Sequence, residues 1–547
     1  MHKRFTALVW LAIAHLVALF ATAQAATAQP APTQPNILLL VAEDMSPRLG
    51  SYGDEAAHTP NLDQLATVST RYTHVFTTAG VCAPSRAAMI TGQHQISFGA
   101  QHMRTSTSPL GTYLAQPPAN LRAFPELLRQ AGYFTFTDGK LDYQFSGIAA
   151  GSGPFTIWDI DGAREPAWRE RAPGQPFFGL INLGITHESG VFRTTGTAHS
   201  ETHKRTQASR SALNTPQIIQ PDAVELPPYF PDLPVVRRDV ARHYDNIAAM
   251  DARVGRILDA LQQDGLREDT IIIWTSDHGD GLPRAKRELY DSGIHVPMLL
   301  HRPSTQGERV DDRLVSFVDL APTILSFADI EPPAYLHGTN FLLQKRRFVF
   351  ASRDRIDEVE DRQRAIRDSK YKYIRSWHPD VPGGHLLAYR DNIDMVRAWR
   401  ELYLRGELTP IQARWFEGAG EEQLFDTTRD PHEVNNLANK RSLASTKRQL
   451  NQALDAFLTR VGDWSEQPED EMRTRLLRDS ELRTTPPPRS IQKDGVATLV
   501  SPIDASIGYR LPGEDRWRLY VEPIAHPRFE AKSVRYGWLE SSTIEVE

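Results

Sequence analysis

Residues 36–44 read NILLLVAED, a run dominated by Ile, Leu and Val that ends on two carboxylates, Glu43 and Asp44. An unbroken apolar run of this length, without alternation, is the pattern of a strand buried on both faces, as in a parallel sheet. Acids directly behind it stand where open α/β sheets place their sites, at the carboxyl ends of strands.

Outward from this strand the pattern repeats. NLRAFPELLRQAG (120–132) predicts an amphipathic helix, and YFTFT (133–137) the strand after it. FFGLINLGI (177–185) is a further apolar run. Between 236 and 261, Val240, Tyr244, Ile247, Val254, Leu258 and Leu261 keep helical spacing, and IIIWTS (271–276) is a strand that runs into Asp277-His278-Gly279. Strands alternating with helices predict an α/β fold: a large mixed, mostly parallel sheet sandwiched by helices, over 35–344. Residues 200–235, polar and then proline-rich, read as a long surface loop. No internal repeat is visible.

The texture changes after residue 345. RRFVFAS, QRAIR and KYKYIRS predict short antiparallel strands, and Leu443, Leu450, Leu454, Phe457 and Val461 mark one face of a helix. This predicts a smaller α+β subdomain over 345–483. TTPPPRS (484–490) reads as a stiff proline-rich linker, and 491–547 as a small terminal β-sandwich module.

The first 28 residues carry Lys3 and Arg4, an apolar run over 5–20 and small-residue sites such as Ala26-Thr27-Ala28. That order predicts a cleavable export signal. The run falls short of the ~20 residues a membrane span needs, and His15 interrupts it. The expectation is a periplasmic or secreted protein with no membrane contact after cleavage. With 62 basic against 68 acidic residues and a net charge of −6, no global positive field would hold nucleic acid.

Cys82, in GVCAPSRAAMITG (80–92), is the only cysteine. It has no partner within the chain for a disulfide. A thiol nucleophile would need a base and a lowered pKa, and this reading leaves Pro84-Ser85-Arg86 unexplained. Glu43, Asp44 and Asp277, hard oxygen ligands from two strand ends, together suit Ca2+ best and Mg2+ next.

Cys-x-Pro-Ser-Arg followed by Met-Ile-Thr-Gly resembles the signature of the type I, formylglycine-dependent sulfatases of the alkaline phosphatase superfamily. Further blocks over 35–465 carry the same resemblance: PNILLLVAEDMSPRLGSYGD with HTPNLDQLA, SDHGDGLPRAKRELYDSGIHVPMLL, and EEQLFDTTRDPHEVNNLA. SFGAQHMRT, GKLDYQF, THESG and ASRDRIDEVEDRQRAIRDSKYKYIRS are similar to the heparan N-sulfatase branch. The terminal module resembles, weakly, the small β modules of some carbohydrate-active enzymes.

The resemblance implies an alkaline-phosphatase-like fold in which a maturation enzyme oxidises Cys82 to formylglycine. Its hydrate then offers one hydroxyl as nucleophile and a second to expel sulfate. It implies a metal site of Glu43, Asp44, Asp277 and His278 beside position 82; Glu43 stands where aspartate is commoner, and His278 would also suit Zn2+. Arg86, one turn into the helix that begins near Cys82, would hold the hydrate's oxygen. Lys140 and Lys286 match sulfate-binding lysines, and His187 matches the proton donor to the leaving group. Where the family commonly has Lys-x-His, this chain has Lys140-Leu141-Asp142. Asp142 would take the proton itself or hold another histidine such as His102. His102, Arg104, Arg353, Arg355, Asp357 and Glu358 lie in blocks that look like sugar-contacting loops.

The implied activity is hydrolysis of a sulfate ester or sulfamate on a sulfated oligosaccharide, with the likeness to the N-sulfatase branch pointing to heparan-type N- or O-sulfate, or on another small sulfate ester. Two alternatives stay open: a phosphomonoester or phosphodiester hydrolase bearing the same signature, and a carbohydrate-binding relative that has lost its chemistry.

Overall fold

The computed structural model describes residues 34–164, 166–192, 218–303 and 307–547. The export signal expected over 1–28 lies outside the described residues, as do residues 200–217 of the expected surface loop. The rest of that loop is irregular apart from one helical turn, Pro221–Ala223, and ends where Pro234 starts a long helix.

The strand read from NILLLVA is β1 (Asn36–Ala42), every residue of it buried. With β2 (Thr70–Phe76), β3 (Phe134–Thr137), β4 (Phe177–Leu183), β5 (Thr270–Ser276), β6 (His295–His301) and β7 (Arg309–Ser316) it forms a seven-stranded sheet in the order β3-β4-β1-β5-β6-β2-β7. Only β6 runs antiparallel to its neighbours. The mixed, mostly parallel sheet expected from the sequence is therefore present, with β1 near its centre.

Because side chains alternate across a strand, β1 feeds two cores. Leu38, Leu40 and Ala42 pack on one face with α1 (Pro60–Ala66) and α4 (Pro234–Gln263). Ile37, Leu39 and Val41 pack on the other with α2 (Cys82–Thr91), α3 (Phe124–Gln130) and α5 (Leu320–Phe327). At about 1.5–3 kcal/mol for each fully buried Leu or Ile side chain, this strand anchors both layers. α3 starts four residues later than its periodicity suggested, since Pro125 sits at its first turn and fixes the start there.

Beyond the main sheet, β8 (Val349–Arg353), β9 (Gln363–Arg367), β10 (Tyr371–Ser376) and β11 (Glu422–Asp426) form an antiparallel sheet in the order β11-β10-β9-β8. Helix α6 (Asp394–Arg405) packs Trp399 into the α4 core, whereas α7 (Ala444–Val461) lays Leu450, Leu454 and Phe457 on the antiparallel sheet. A short helix, α8 (Glu469–Leu476), follows.

The C-terminal strands β12 (Arg489–Lys493), β13 (Val496–Val500), β14 (Ser506–Arg510), β15 (Arg518–Leu519), β16 (Phe529–Val534) and β17 (Ile544–Val546) make a hairpin and a four-stranded sheet around one small core. The segment read as a linker is part of this module: the Thr485 amide donates to the Leu539 carbonyl, the Leu539 amide donates to the Arg483 carbonyl, and β12 begins at Arg489. The module docks on the main domain. Ser506 and Tyr536 both donate to the buried Glu126 of α3, and Tyr536 stacks on Phe145.

Candidate active site

Four parallel strands end at one cleft. β1 delivers Glu43 and Asp44, β5 delivers Asp277 and His278, β4 carries Asn182 and leads to His187, and the loop after β3 brings Lys140 and Asp142. Register makes this convergence obligatory, since Ala42 is paired with Leu183 on one side and with Ser276 on the other. The residues that follow must emerge together.

Cys82 is the first residue of α2. Its N-cap, Val81, is extended and makes no side-chain capping bond, and the helix ends at Gly92 in the left-handed conformation. All ten residues of α2 are buried, and small Ala83, Ala87 and Ala88 let the helix lie close on the sheet. Ser85 donates to the Asp277 carbonyl at 2.6 Å, which pins the first turn against the end of β5. The sulfur therefore lies where the helix dipole favours negative charge.

Around that sulfur, His278 Nε2 lies at 3.4 Å, Lys286 Nζ at 3.7 Å and Asp44 Oδ1 at 3.9 Å. Arg86 spans the site behind it, its Nε 2.9 Å from Asp277 Oδ2 and its Nη1 2.5 Å from Asn182 Oδ1. Lys286 pairs with Asp44 Oδ2 and Lys140 with Glu43 Oε2, each at 2.5 Å. Asp44 adopts φ 55°, a conformation Asp tolerates better than most residues. Its amide donates to Asp277 Oδ1 at 3.0 Å and its carbonyl accepts from Gly281 at 2.9 Å, so both neighbours hold it there.

The electrostatics follow from this crowding. Burial works to raise the Cys82 thiol, but Lys286 and Lys140 outweigh it and bring it down to about 6. Burial likewise opposes ionisation of Asp44, and Lys286 with the adjacent imidazoles holds it well below the usual carboxylate range. His278 loses by burial and gains more from Asp277 and Asp44, which push it up to about 10.

The donor set fits a divalent cation. One ligand atom each from Asp44, Cys82, Asp277 and His278 lies within 4.8 Å of the others, and the same holds for Glu43, Asp44, Cys82 and His187. Ligands about 2.3–2.6 Å from a common Ca2+ are at most about 5 Å apart, so the atoms of each group can share one centre, and Asp44 and Cys82 belong to both. Glu43, Asp44, Asp277 and His278 would hold the cation, with position 82 as a further ligand.

The site opens into a cleft of about 600 Å3 lined by Glu43, Lys140, Asp142, His187 and Lys286 among others. Asp142 does not reach His102. It is bound to Arg104 through Nε at 3.0 Å and Nη2 at 2.6 Å. His102 instead meets Tyr113 and Glu469. Of the residues read as sugar-contacting, Arg104 and Asp357 line the cleft. Arg353 is buried against Glu288 and Asp361, Arg355 is buried against Glu469, and Glu358 is exposed away from the lining. Glu288 and Glu469, both distant in sequence, hold these arginines outside the lining of the cleft.

Four residues that matter here escaped the sequence reading. Asn182 anchors Arg86 and was signalled by being the one polar residue inside FFGLINL. Glu188 donates its amide to Asp44 and receives the Arg287 guanidinium on both oxygens, at 2.8 and 2.9 Å. Tyr389 and Arg287 complete the lining. Tyr389 lies in a segment without periodicity, and nothing local marks it.

This combination of sheet, helix and clustered acids is that of a sulfatase: the family model described as Sulfatase matches residues 35–153 and 163–330, and the chain belongs to that family. It is accordingly an enzyme, a sulfuric ester hydrolase. A second family model, described as the C-terminal part of N-sulphoglucosamine sulphohydrolase, matches residues 284–381. An ulvan-active sulfatase of Formosa agariphila is 37% identical over 558 residues, covering 95% of this chain and 92% of that protein. Human N-sulphoglucosamine sulphohydrolase is 26% identical, covering 74% and 86%. Among solved structures, a protein in complex with its substrate D-glucosamine-2-N,6-O-disulfate aligns with a TM-score of 0.54 at 17% identity, covering 80% of this chain and all of that one.

Proposed function

We propose that this enzyme hydrolyses a sulfate ester or sulfamate on a sulfated saccharide, using formylglycine made from Cys82 and a divalent cation, Ca2+ before Mg2+ or Zn2+. The observation that carries the proposal is the buried cluster of Cys82, Asp44, Asp277 and His278, all within 4.8 Å, with Lys286 beside the sulfur and the cleft above. That relatives at 37% and 26% identity are named for ulvan and for N-sulphoglucosamine supports a saccharide as the sulfate carrier.

Hydrated formylglycine supplies an oxygen nucleophile with a second hydroxyl to release sulfate, and the cation supplies a Lewis acid for the sulfate oxygens. The chain's own residues do the rest. Lys140 and Lys286 face the cleft and neutralise charge that gathers on the nonbridging oxygens in the transition state. Arg86, locked by Asp277 and Asn182, presents a fixed positive charge behind position 82. His187 Nδ1 lies 2.9 Å from Ser189 Oγ, which can accept from the protonated ring and leaves the transferable proton on Nε2. That proton goes to the leaving oxygen or nitrogen.

The proposal includes export to the periplasm or medium, a formylglycine-generating enzyme as maturation partner, and a division into a catalytic domain over 35–344, a subdomain over 345–483 and the terminal module. Among the described residues no helix is long and apolar enough to cross a membrane. The test is release of inorganic sulfate from ulvan fragments, N- and O-sulfated glucosamine and an aryl sulfate, beside phosphate release from an aryl phosphate. Sulfate release from a saccharide is expected; phosphate release alone would replace this reading with a phosphoester hydrolase.

A further inference from the structure

The pair formed by Asp142 and Arg104 has a use that its position in the cleft suggests. Arg104 spends Nε and Nη2 on Asp142, and its Nη1 has no hydrogen-bond partner among the described residues. Its side chain is 38% exposed, against 19% for Lys140, 2% for Lys286 and 5% for Arg287, which pair with Glu43, Asp44 and Glu188. Asp142 accepts only from Arg104 and keeps free lone pairs, since a carboxylate offers about four acceptor sites. Both residues line the same wall. One donor and one acceptor thus stand side by side on a pair whose charges cancel.

The wall is rigid. Arg355 donates to the carbonyls of Met103 at 3.0 Å, Asp357 at 2.8 Å and Arg104 at 3.3 Å, so that a single guanidinium ties the two loops of the wall together. Glu469, at the start of α8, fixes that guanidinium through Nε at 2.5 Å and Nη2 at 2.8 Å, and also accepts from Tyr113 and Ser108. Arg104 is therefore held at its backbone by Arg355 and at its head by Asp142.

We propose that the Asp142–Arg104 pair is a specificity element that recognises a free hydroxyl, or two vicinal hydroxyls, on the sugar bearing the scissile sulfate. A neutral pair gives a second anion little attraction, but it matches a hydroxyl, which donates to Asp142 and accepts from Arg104 Nη1. Sites built to bond a hydroxyl discriminate strongly against ligands lacking it, because their polar groups are left unpaired. Asp142 takes no proton from the reacting atoms in this arrangement; it positions Arg104 and binds substrate.

The inference rests on the sulfatase reading above, and its test keeps the two apart. The kcat/KM of wild type, Arg104→Ala and Asp142→Asn is measured on a sulfated monosaccharide with free hydroxyls and on an aryl sulfate, which has none. Both variants should lose about tenfold to a hundredfold more on the sugar than on the aryl compound, mainly through KM. Because the readout is a ratio within one preparation, partial misfolding does not shift it. Equal losses on both substrates with kcat carrying the fall in Asp142→Asn would mean proton transfer, and would overturn the proposal. A wild type that releases sulfate from neither substrate fails the sulfatase reading, and this inference with it.

Discussion

The Lys286 ammonium lies 2.5 Å from Asp44 Oδ2, with both side chains buried. The same nitrogen is 3.7 Å from the sulfur of Cys82, so one lysine touches both a carboxylate of the proposed metal site and the proposed nucleophile position. Removing it leaves Asp44 short of its main cation. Lys286→Met should lower kcat about a hundredfold to a thousandfold, the usual cost of one preorganised charge at a reacting centre. The check is steady-state kinetics on the best sulfated substrate, with circular dichroism to establish folding.

In the proposed mechanism a divalent cation would offset the carboxylates that converge on position 82. Chelation should abolish sulfate release, and Ca2+ should restore it more fully than Mg2+, whose stricter octahedral geometry suits this mixed set less well. Activity after dialysis against chelator, with each metal added back, decides the point. Full activity in chelator would remove the cation from the mechanism.

Glu469 anchors the clamp that holds the cleft wall. Burial acts to raise its carboxyl, but the hydrogen-bonded Arg355 lowers it below the ordinary value of 4.5. A group titrating lower in the folded than in the unfolded chain contributes stability that is complete above the unfolded pKa and is lost as pH falls through the folded one. Glu469→Gln should therefore cost stability at about pH 7 and progressively less below about pH 4. Urea unfolding across that range measures it; a pH-independent difference would contradict the assignment.

The terminal module holds the main domain through Glu126. Ser506 and Tyr536 both donate to this buried carboxylate, and Tyr536 stacks on Phe145, three residues beyond Asp142. Tyr536→Phe deletes one donor to a buried charge and should destabilise by about 1–3 kcal/mol, read as a lower melting temperature. Deleting 484–547 should reduce activity as well, because it frees the loop that carries Lys140 and Asp142.

Strands buried on both faces were legible in the sequence, because β1, β4 and β5 need only apolar residues and end in polar ones. β2 and β7 were not: TRYTHVF and RVDDRLVS mix polar residues with half-exposed positions at one side of the sheet, where solvent replaces the second layer. Of the cluster around Cys82, Glu43, Asp44 and Asp277 were legible for a related reason, since each follows a strand end, whereas Arg86, His278 and Lys286 were marked by the resemblance of their blocks to sulfatases. The surroundings of Arg353 and Arg355 were not legible because their carboxylates, Glu288 and Glu469, are 65 and 114 residues away, and an isolated arginine in a polar block looks the same whether it meets a sugar or an acid. Asp142 belongs to the same class, with its partner Arg104 in a different loop.

The central claim is that side chain 82 reacts as an aldehyde hydrate rather than as a thiol. Mass spectrometry of the peptide spanning 80–92, taken from a preparation that releases sulfate, tests it most directly. The expected result is a peptide whose residue 82 has exchanged its thiol for an aldehyde and forms a hydrazone. An active preparation in which Cys82 is wholly an alkylatable thiol would contradict it.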